Sequence, residues 1–122
     1  MIEHDLDRAT GILHLRPSTA LETADFEALA KAVDPYIEAH GRLAGLLIEM
    51  PSFPGWDSFG AFAAHLRFVR DHHRQIRRVA LVTSSAVGDV AEKLASHFVA
   101  AEIRHFPAGQ RANAERWITM DE

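Results

Sequence analysis

The sequence predicts a single α/β domain over residues 1–122, with a five-stranded, mostly parallel sheet and four helices. Short apolar runs alternate with amphipathic helical patterns, which favours right-handed β-α-β connections and parallel strands. The run over residues 43–50 is apolar on both parities, as in a central strand covered on both faces. The first residues instead alternate like an antiparallel hairpin. We therefore expect a hairpin followed by alternating β-α units.

The hairpin is predicted from residues 2–6, where Ile2, His4 and Leu6 alternate with acidic residues, and from residues 12–15 beyond a turn at Gly11. The first helix is predicted from about residue 23 to Gly41, because apolar residues recur at helical spacing from Phe26 to Ile37. A proline inside this pattern, Pro35, lacks an N–H and predicts a kink or a restart.

The second helix is predicted to begin at Asp57 or Ser58, after the central strand over residues 43–50. We assign the inward stripe to Phe59, Phe62, Ala63, Leu66 and Val69. The opposite face then carries Ala61, Ala64 and Phe68, and an apolar outer surface of this kind predicts a partner.

The remaining elements complete the pattern. A strand over residues 79–83 leads to a helix capped by Ser84 or Ser85, with Val87, Val90, Leu94 and Phe98 inward. A last strand over residues 101–106 turns at Gly109 into a helix. That final helix is expected to face the sheet with Ala114, Trp117 and Ile118.

Composition excludes several classes of protein. The formal charge of −4 gives no general attraction for nucleic acid, and the absence of cysteine excludes disulfides and thiolate chemistry. Five arginines between residues 67 and 78 suggest either an anion-binding stretch or, as we prefer, a solvated helix end. No signal peptide or membrane-spanning run is visible. We expect a cytoplasmic protein whose association with membranes is at most peripheral.

The spacing of polar residues predicts no metal site, no cofactor and no enzyme. The eight histidines include no His-x-x-x-His or His-x-His pair, and nucleophile-elbow, phosphate-loop and dinucleotide motifs are absent. A third alternative keeps Glu49 or Asp57 as a general base, which requires a buried carboxylate with a raised pKa.

The turn over residues 49–60 is the predicted binding region, because open α/β sheets bind ligands at the carboxyl ends of their strands. The side chain of Trp56 either fixes this turn to the core or takes part in recognition. Here the candidate residues are Glu49, Ser52, Phe53, Trp56, Asp57, Ser58 and Phe59, together with the facing Thr83 and Ser84.

The same region resembles the STAS family of bacterial anti-anti-sigma factors, particularly its SpoIIAA-like branch, also called the STAS/SEC14 domain. The acidic Glu49 is followed eight positions later by Asp57-Ser58-Phe59-Gly60, where the sigma antagonists carry Asp-Ser-Ser-Gly. Further similar segments are residues 55–57, 78–82, 102–106 and 114–118. The resemblance implies a STAS-like fold, and it places Phe59 at the position of the phosphorylated serine.

Two functions follow from this resemblance and from the residues. The first is a non-catalytic regulatory or protein-interaction module of STAS type, without the phosphorylatable serine. We expect it to bind a protein partner or to form a homodimer through Ala61, Ala64 and Phe68. The alternative is a SEC14-like module that binds a small apolar molecule or lipid near the turn over residues 51–59 and the facing loop over residues 83–85.

Overall fold

The computed structural model describes residues 1–51, 55–84 and 100–120. Its sheet has the order β1-β2-β3-β4-β5, in which β1 is antiparallel to β2 and the other neighbours are parallel. This confirms the predicted hairpin and the mostly parallel five-stranded sheet. The strands are β1 (Ile2–Asp7), β2 (Ile12–Pro17), β3 (Leu43–Glu49), β4 (Ile76–Thr83) and β5 (Glu102–Pro107).

The described residues contain three α-helices, not the four predicted. They are α1 (Thr23–His40), α2 (Phe59–His72) and α3 (Arg111–Thr119), and a short 3-10 turn (His73–Gln75) follows α2. The predicted helix after Ser84, with its apolar stripe from Val87 to Phe98, falls in residues 85–99, outside the described residues.

The sheet separates two apolar cores. On one face, strand residues such as Leu13 and Leu46 pack with α1 and α2. On the other face, Leu47 and Ala80 pack with α3. Neighbouring residues of a strand point to opposite faces, so the nearly continuous apolar run of β3 supplies both cores. Its prediction as a central strand is confirmed.

The helix α1 is continuous through Pro35, so the predicted restart is wrong, whereas the kink stays a prediction. The missing N–H of Pro35 is accommodated within a long helix whose apolar side is buried at Phe26, Leu29 and Val33. The predicted end at Gly41 is confirmed, since this residue has a φ of 89° and its N–H donates to the carbonyl of Ile37 at 2.6 Å.

The helix α2 is rotated relative to the prediction. Its buried residues are Ala61, Ala64, Phe68 and His72, whereas Phe59 is 82% exposed and Leu66 is 54% exposed. The placement of Ala61, Ala64 and Phe68 on an outer contact face is therefore wrong, because these side chains already fill the chain's own core. The buried face carries two alanines and one large ring, that of Phe68, which lies 6.3 Å from the ring of Phe26 on α1.

The basic stretch divides between two elements. Both Arg77 and Arg78 lie on β4 and donate to carbonyl groups at the end of α3, including that of Met120. The guanidinium of Arg78 also lies 5.1 Å from the ring centroid of Trp117. Cations at the carboxyl end of a helix stabilise its dipole, so these two arginines fix α3 to the sheet. They are not part of the solvated end of α2.

Candidate binding site beneath the second helix

The turn before α2 is attached to the residues that precede α1. An isolated parallel bridge joins Leu21 to Trp56. The N–H of Leu21 donates to the carbonyl of Gly55 at 2.7 Å, and the N–H of Asp57 donates to the carbonyl of Leu21 at 2.9 Å. Two of the candidate residues of this turn, Ser52 and Phe53, lie outside the described residues.

The start of α2 follows the prediction. The hydroxyl of Ser58 accepts the N–H of Ala61 at 3.1 Å, which confirms Ser58 as the helix cap. The neighbouring Asp57 is exposed. An exposed carboxylate does not meet the requirement that we set for a general base. Phe59 projects from the first turn of the helix into solvent.

Trp56 packs across the first turns of α2. Its indole Nε1–H donates to Nδ1 of His65 at 3.1 Å, and its ring meets Phe62 edge-on at a centroid distance of 4.8 Å. The indole remains 38% exposed. Trp56 therefore fixes the turn to α2, while part of its ring remains at the surface. Its role in recognition stays a prediction.

An apolar cavity of about 380 Å³ lies between the α1–α2 pair and the sheet. This volume falls in the range of about 300 to 1,000 Å³ that is typical of small-molecule sites. Its described lining is almost entirely hydrocarbon. Strand residues on one side include Leu15, Leu46, Ile48, Val79, Leu81 and Ile103, and helix residues on the other include Phe26, Leu29, Phe68 and Val69.

Histidines supply the polar groups of this lining. The ring of His65 is stacked on Phe26 at 5.0 Å, and burial lowers its pKa from the ordinary value of 6.5. The ring of His72 is stacked on Phe68 at 4.2 Å, and its Nε2 lies 2.7 Å from the carboxylate of Asp34 on α1. That contact joins the end of α2 to α1.

Glu49 belongs to a separate polar group on the opposite face of the sheet from the cavity-lining Ile48. Its carboxylate lies 3.0 Å from Nε2 of His14, and Nδ1 of the same ring accepts from Arg16 at 3.0 Å. The guanidinium can only donate, so the neutral ring carries its proton on Nε2 and donates it to Glu49. Burial lowers the pKa of His14 despite this hydrogen bond. Glu49 and Trp56 therefore do not share one site.

His14 and Arg16 were not among the predicted site residues. Their alternation on β2 signals a shared face, but their approach to Glu49 depends on the register of β2 with β3, in which Leu15 pairs with Ile48. Only the three-dimensional pairing identifies this group.

The facing loop, represented by Thr83 and Ser84, contributes less to the candidate site than predicted. Thr83 is buried, and within the described ranges its hydroxyl has no hydrogen-bond partner. Its carbonyl accepts Nε2–H of His105 at 3.0 Å. Ser84 is exposed. Neither residue is part of the described cavity lining, so the structure places the cavity deeper and closer to α1 than the predicted edge site.

The described part of the chain contains no group of three or more histidine, aspartate or glutamate side chains arranged to hold a metal ion. Among the same residues, no helix combines the length and the apolar character required to cross a membrane.

Comparison with known proteins identifies the fold. Among curated proteins, none matches the chain significantly. A crystal structure of an uncharacterised protein with a SpoIIAA-like fold from Shewanella loihica superposes with a TM-score of 0.76 at 19% sequence identity. This superposition covers 97% of the present chain and 92% of the other. A SpoIIAA-like family profile matches residues 12–119, and the chain therefore belongs to the SpoIIAA-like family.

Proposed function

We propose that this protein is a non-catalytic module that binds an apolar small molecule or lipid chain between the α1–α2 pair and the sheet. The observation that carries this proposal is the cavity of about 380 Å³ with its hydrocarbon lining. A well-packed interior leaves few voids larger than a water molecule, whereas this space is large enough to take a small molecule. Apolar surface on both walls favours an apolar one.

The arrangement of the carboxylates supports a binding role over a catalytic one. Asp57 is exposed, and Glu49 is engaged with His14 on the other face of the sheet. Neither carboxylate adjoins the cavity, so a ligand held there meets imidazole rings and hydrocarbon only, as far as the described lining extends. Such a lining holds a molecule without offering it a carboxylate base.

The proposal is tested with protein purified without detergent and examined by native mass spectrometry. We expect a bound apolar species, or uptake of added dodecanoic acid. The variant Val69→Phe adds a ring to the cavity wall and should abolish uptake. The control Leu66→Phe adds similar bulk to the exposed side of the same helix and should leave uptake unchanged. Uptake that is absent in the wild type, or equal in both variants, would refute the proposal.

A second candidate function is that of a protein-interaction module in regulation. It is favoured by one observation, an apolar stripe, here called the α2 stripe, formed by Phe59, Phe62 and Leu66 on α2 and by Trp56 just before it. Three of these side chains are exposed, those of Trp56, Phe59 and Leu66. Exposed apolar patches of this kind are typical of contact surfaces. This α2 stripe replaces Ala61, Ala64 and Phe68 as the proposed contact with a partner or with a second copy of the chain.

The two candidates are separated by variants in the α2 stripe. Phe59→Glu places a charge in the stripe without touching the cavity lining. If the chain is a homodimer through this surface, light scattering after size exclusion should show a dimer for the wild type and a monomer for Phe59→Glu. A wild-type monomer would exclude this dimer, and a pull-down compared with Phe59→Glu would then test for a different protein partner.

A further inference from the structure

We propose that the cavity selects an apolar chain that bears a carboxyl or carbonyl oxygen, and that Nε2–H of His65 donates the hydrogen bond that recognises this oxygen. This inference rests on the proposed function, because it names the class of molecule that the same cavity takes. It follows from how the ring nitrogens of the lining histidines are engaged.

The tautomer of His65 is fixed by Trp56. An indole N–H can only donate, so Nδ1 of His65 must accept the 3.1 Å hydrogen bond and carries no proton. The neutral ring therefore has its proton on Nε2. Within the described residues this Nε2 has no hydrogen-bond partner. A donor on a cavity-lining ring remains available to a ligand.

The neighbouring histidines His72 and His73 likewise present no free hydrogen-bond acceptor among the described contacts. Nδ1 of His73 accepts the backbone N–H of Ala100 at 2.8 Å, so the neutral His73 ring also has its proton on Nε2. Both nitrogens of His72 are engaged by acceptors, the carbonyl of Phe68 at 2.8 Å and the carboxylate of Asp34. The polar side chains of the described lining thus offer hydrogen-bond donors to a ligand and no carboxylate.

A donor in an apolar environment discriminates strongly between ligand head groups. An oxygen acceptor satisfies it, whereas an alkyl ammonium brings more donors and a charge that finds no partner. We therefore expect a long-chain acid or an acyl ester to bind with higher affinity than a long-chain amine of equal length. The carboxyl oxygen of a free acid and the carbonyl oxygen of an acyl lipid can both accept the hydrogen bond from Nε2–H of His65.

The test compares three probes of equal chain length on the wild-type protein by isothermal titration calorimetry: dodecanoic acid, methyl dodecanoate and dodecylamine. The acid and the ester should each bind about tenfold more tightly than the amine, in line with one hydrogen bond in a desolvated site. Equal binding of acid and ester indicates an acyl carbonyl as the feature recognised. An amine that binds as tightly as both would overturn the inference.

Variants then assign the effect to His65. His65→Leu removes the donor and should weaken acid binding about tenfold, while His65→Gln retains an N–H donor and should restore part of it. The control His4→Leu replaces an exposed histidine outside the described cavity lining and should bind like the wild type. Both His65 variants should keep their affinity for the amine, which shows that the cavity is intact.

The outcomes separate this inference from the proposed function. If none of the three probes binds to the wild type, the proposed apolar site itself fails. If all three bind equally and His65→Leu has no effect, the site stands and only the role of His65 is wrong. Trp56→Phe supplies a further check, since it removes the N–H that fixes the tautomer of His65. Its affinity for the acid should lie between that of the wild type and that of His65→Leu.

Discussion

Gly45 on β3 lies directly beneath Ile118 of α3. A Cβ atom at Gly45 would lie 2.6 Å from Cγ2 of Ile118 and 2.7 Å from the carbonyl oxygen of Arg78. The backbone carbonyl cannot move away as a flexible side chain could. The absence of a side chain at this position is therefore what allows α3 to approach the second face of the sheet.

Gly45→Ala should destabilise the protein by about 1 to 3 kcal/mol, because an inserted methyl group overpacks a tight contact. Gly60→Ala is the matched control, since a Cβ there would meet Oγ of Ser58 at an ordinary 3.6 Å. Within α2 that change should be neutral or stabilising by up to about 1 kcal/mol. Urea denaturation measures both, and equal effects would contradict the close approach.

Ser58→Ala should cost about 1 kcal/mol of unfolding free energy, because the N–H of Ala61 loses its acceptor at the start of α2. Ser58→Asp should preserve stability, since a carboxylate caps equally well and favours the positive end of the helix dipole. The midpoint of thermal unfolding distinguishes the two. A loss with both substitutions would show that the hydroxyl does more than cap the helix.

The rotation of α2 predicts opposite outcomes for two phenylalanines. Phe68→Ala removes a buried ring and should cost about 3 to 5 kcal/mol. Phe59→Ala removes a ring that is almost fully exposed and should change stability by less than about 0.5 kcal/mol. Chemical denaturation of both variants checks the orientation. The reverse order would restore the face assignment made from the sequence.

Stability should decrease as the pH falls below about 6.5, the ordinary pKa of histidine. Burial lowers the pKa of both His14 and His65 in the folded state, so the unfolded chain takes up protons first. Each contributes up to about 1.4 kcal/mol for every unit of pKa difference. Urea denaturation at about pH 7.5 and about pH 5.5 should show this loss.

Replacement of the titrating ring provides the control for this pH dependence. His65→Leu should reduce the loss of stability between the two pH values, whereas replacement of the exposed His4 by Leu should leave it unchanged. If the stability of the wild type rises on acidification, the net effect of the buried histidines has the opposite sign.

The strands could be predicted well because their pattern has a single solution. The continuous apolar run of β3 and the alternation of β1 each fit one arrangement. The pattern of α2 fits two, since Phe59, Phe62 and Leu66 compete with Ala61, Ala64 and Phe68. Hydrophobicity favoured the face with more large side chains, but the structure buries the face with two alanines and one phenylalanine. Periodicity cannot decide between two apolar faces of one helix.

The candidate site was predicted only in part. The sequence located the turn and the helix cap at Ser58. It could not reveal the partnership of Trp56 with His65, because that depends on how the turn folds back over α2. The cavity itself is a volume left by the packing of two helices on a sheet, and no linear pattern encodes such a volume.

The α1–α2 pair is tied at both ends, by the hydrogen bonds between Leu21 and the turn at Trp56 and by the contact between Asp34 and His72. Two elements tied in this way open as one cooperative unit. The amide protons of Leu21 and Asp57, which belong to the same bridge, should therefore exchange with solvent deuterium at a common rate. A common rate would show that the segment before α1 and the turn before α2 open together.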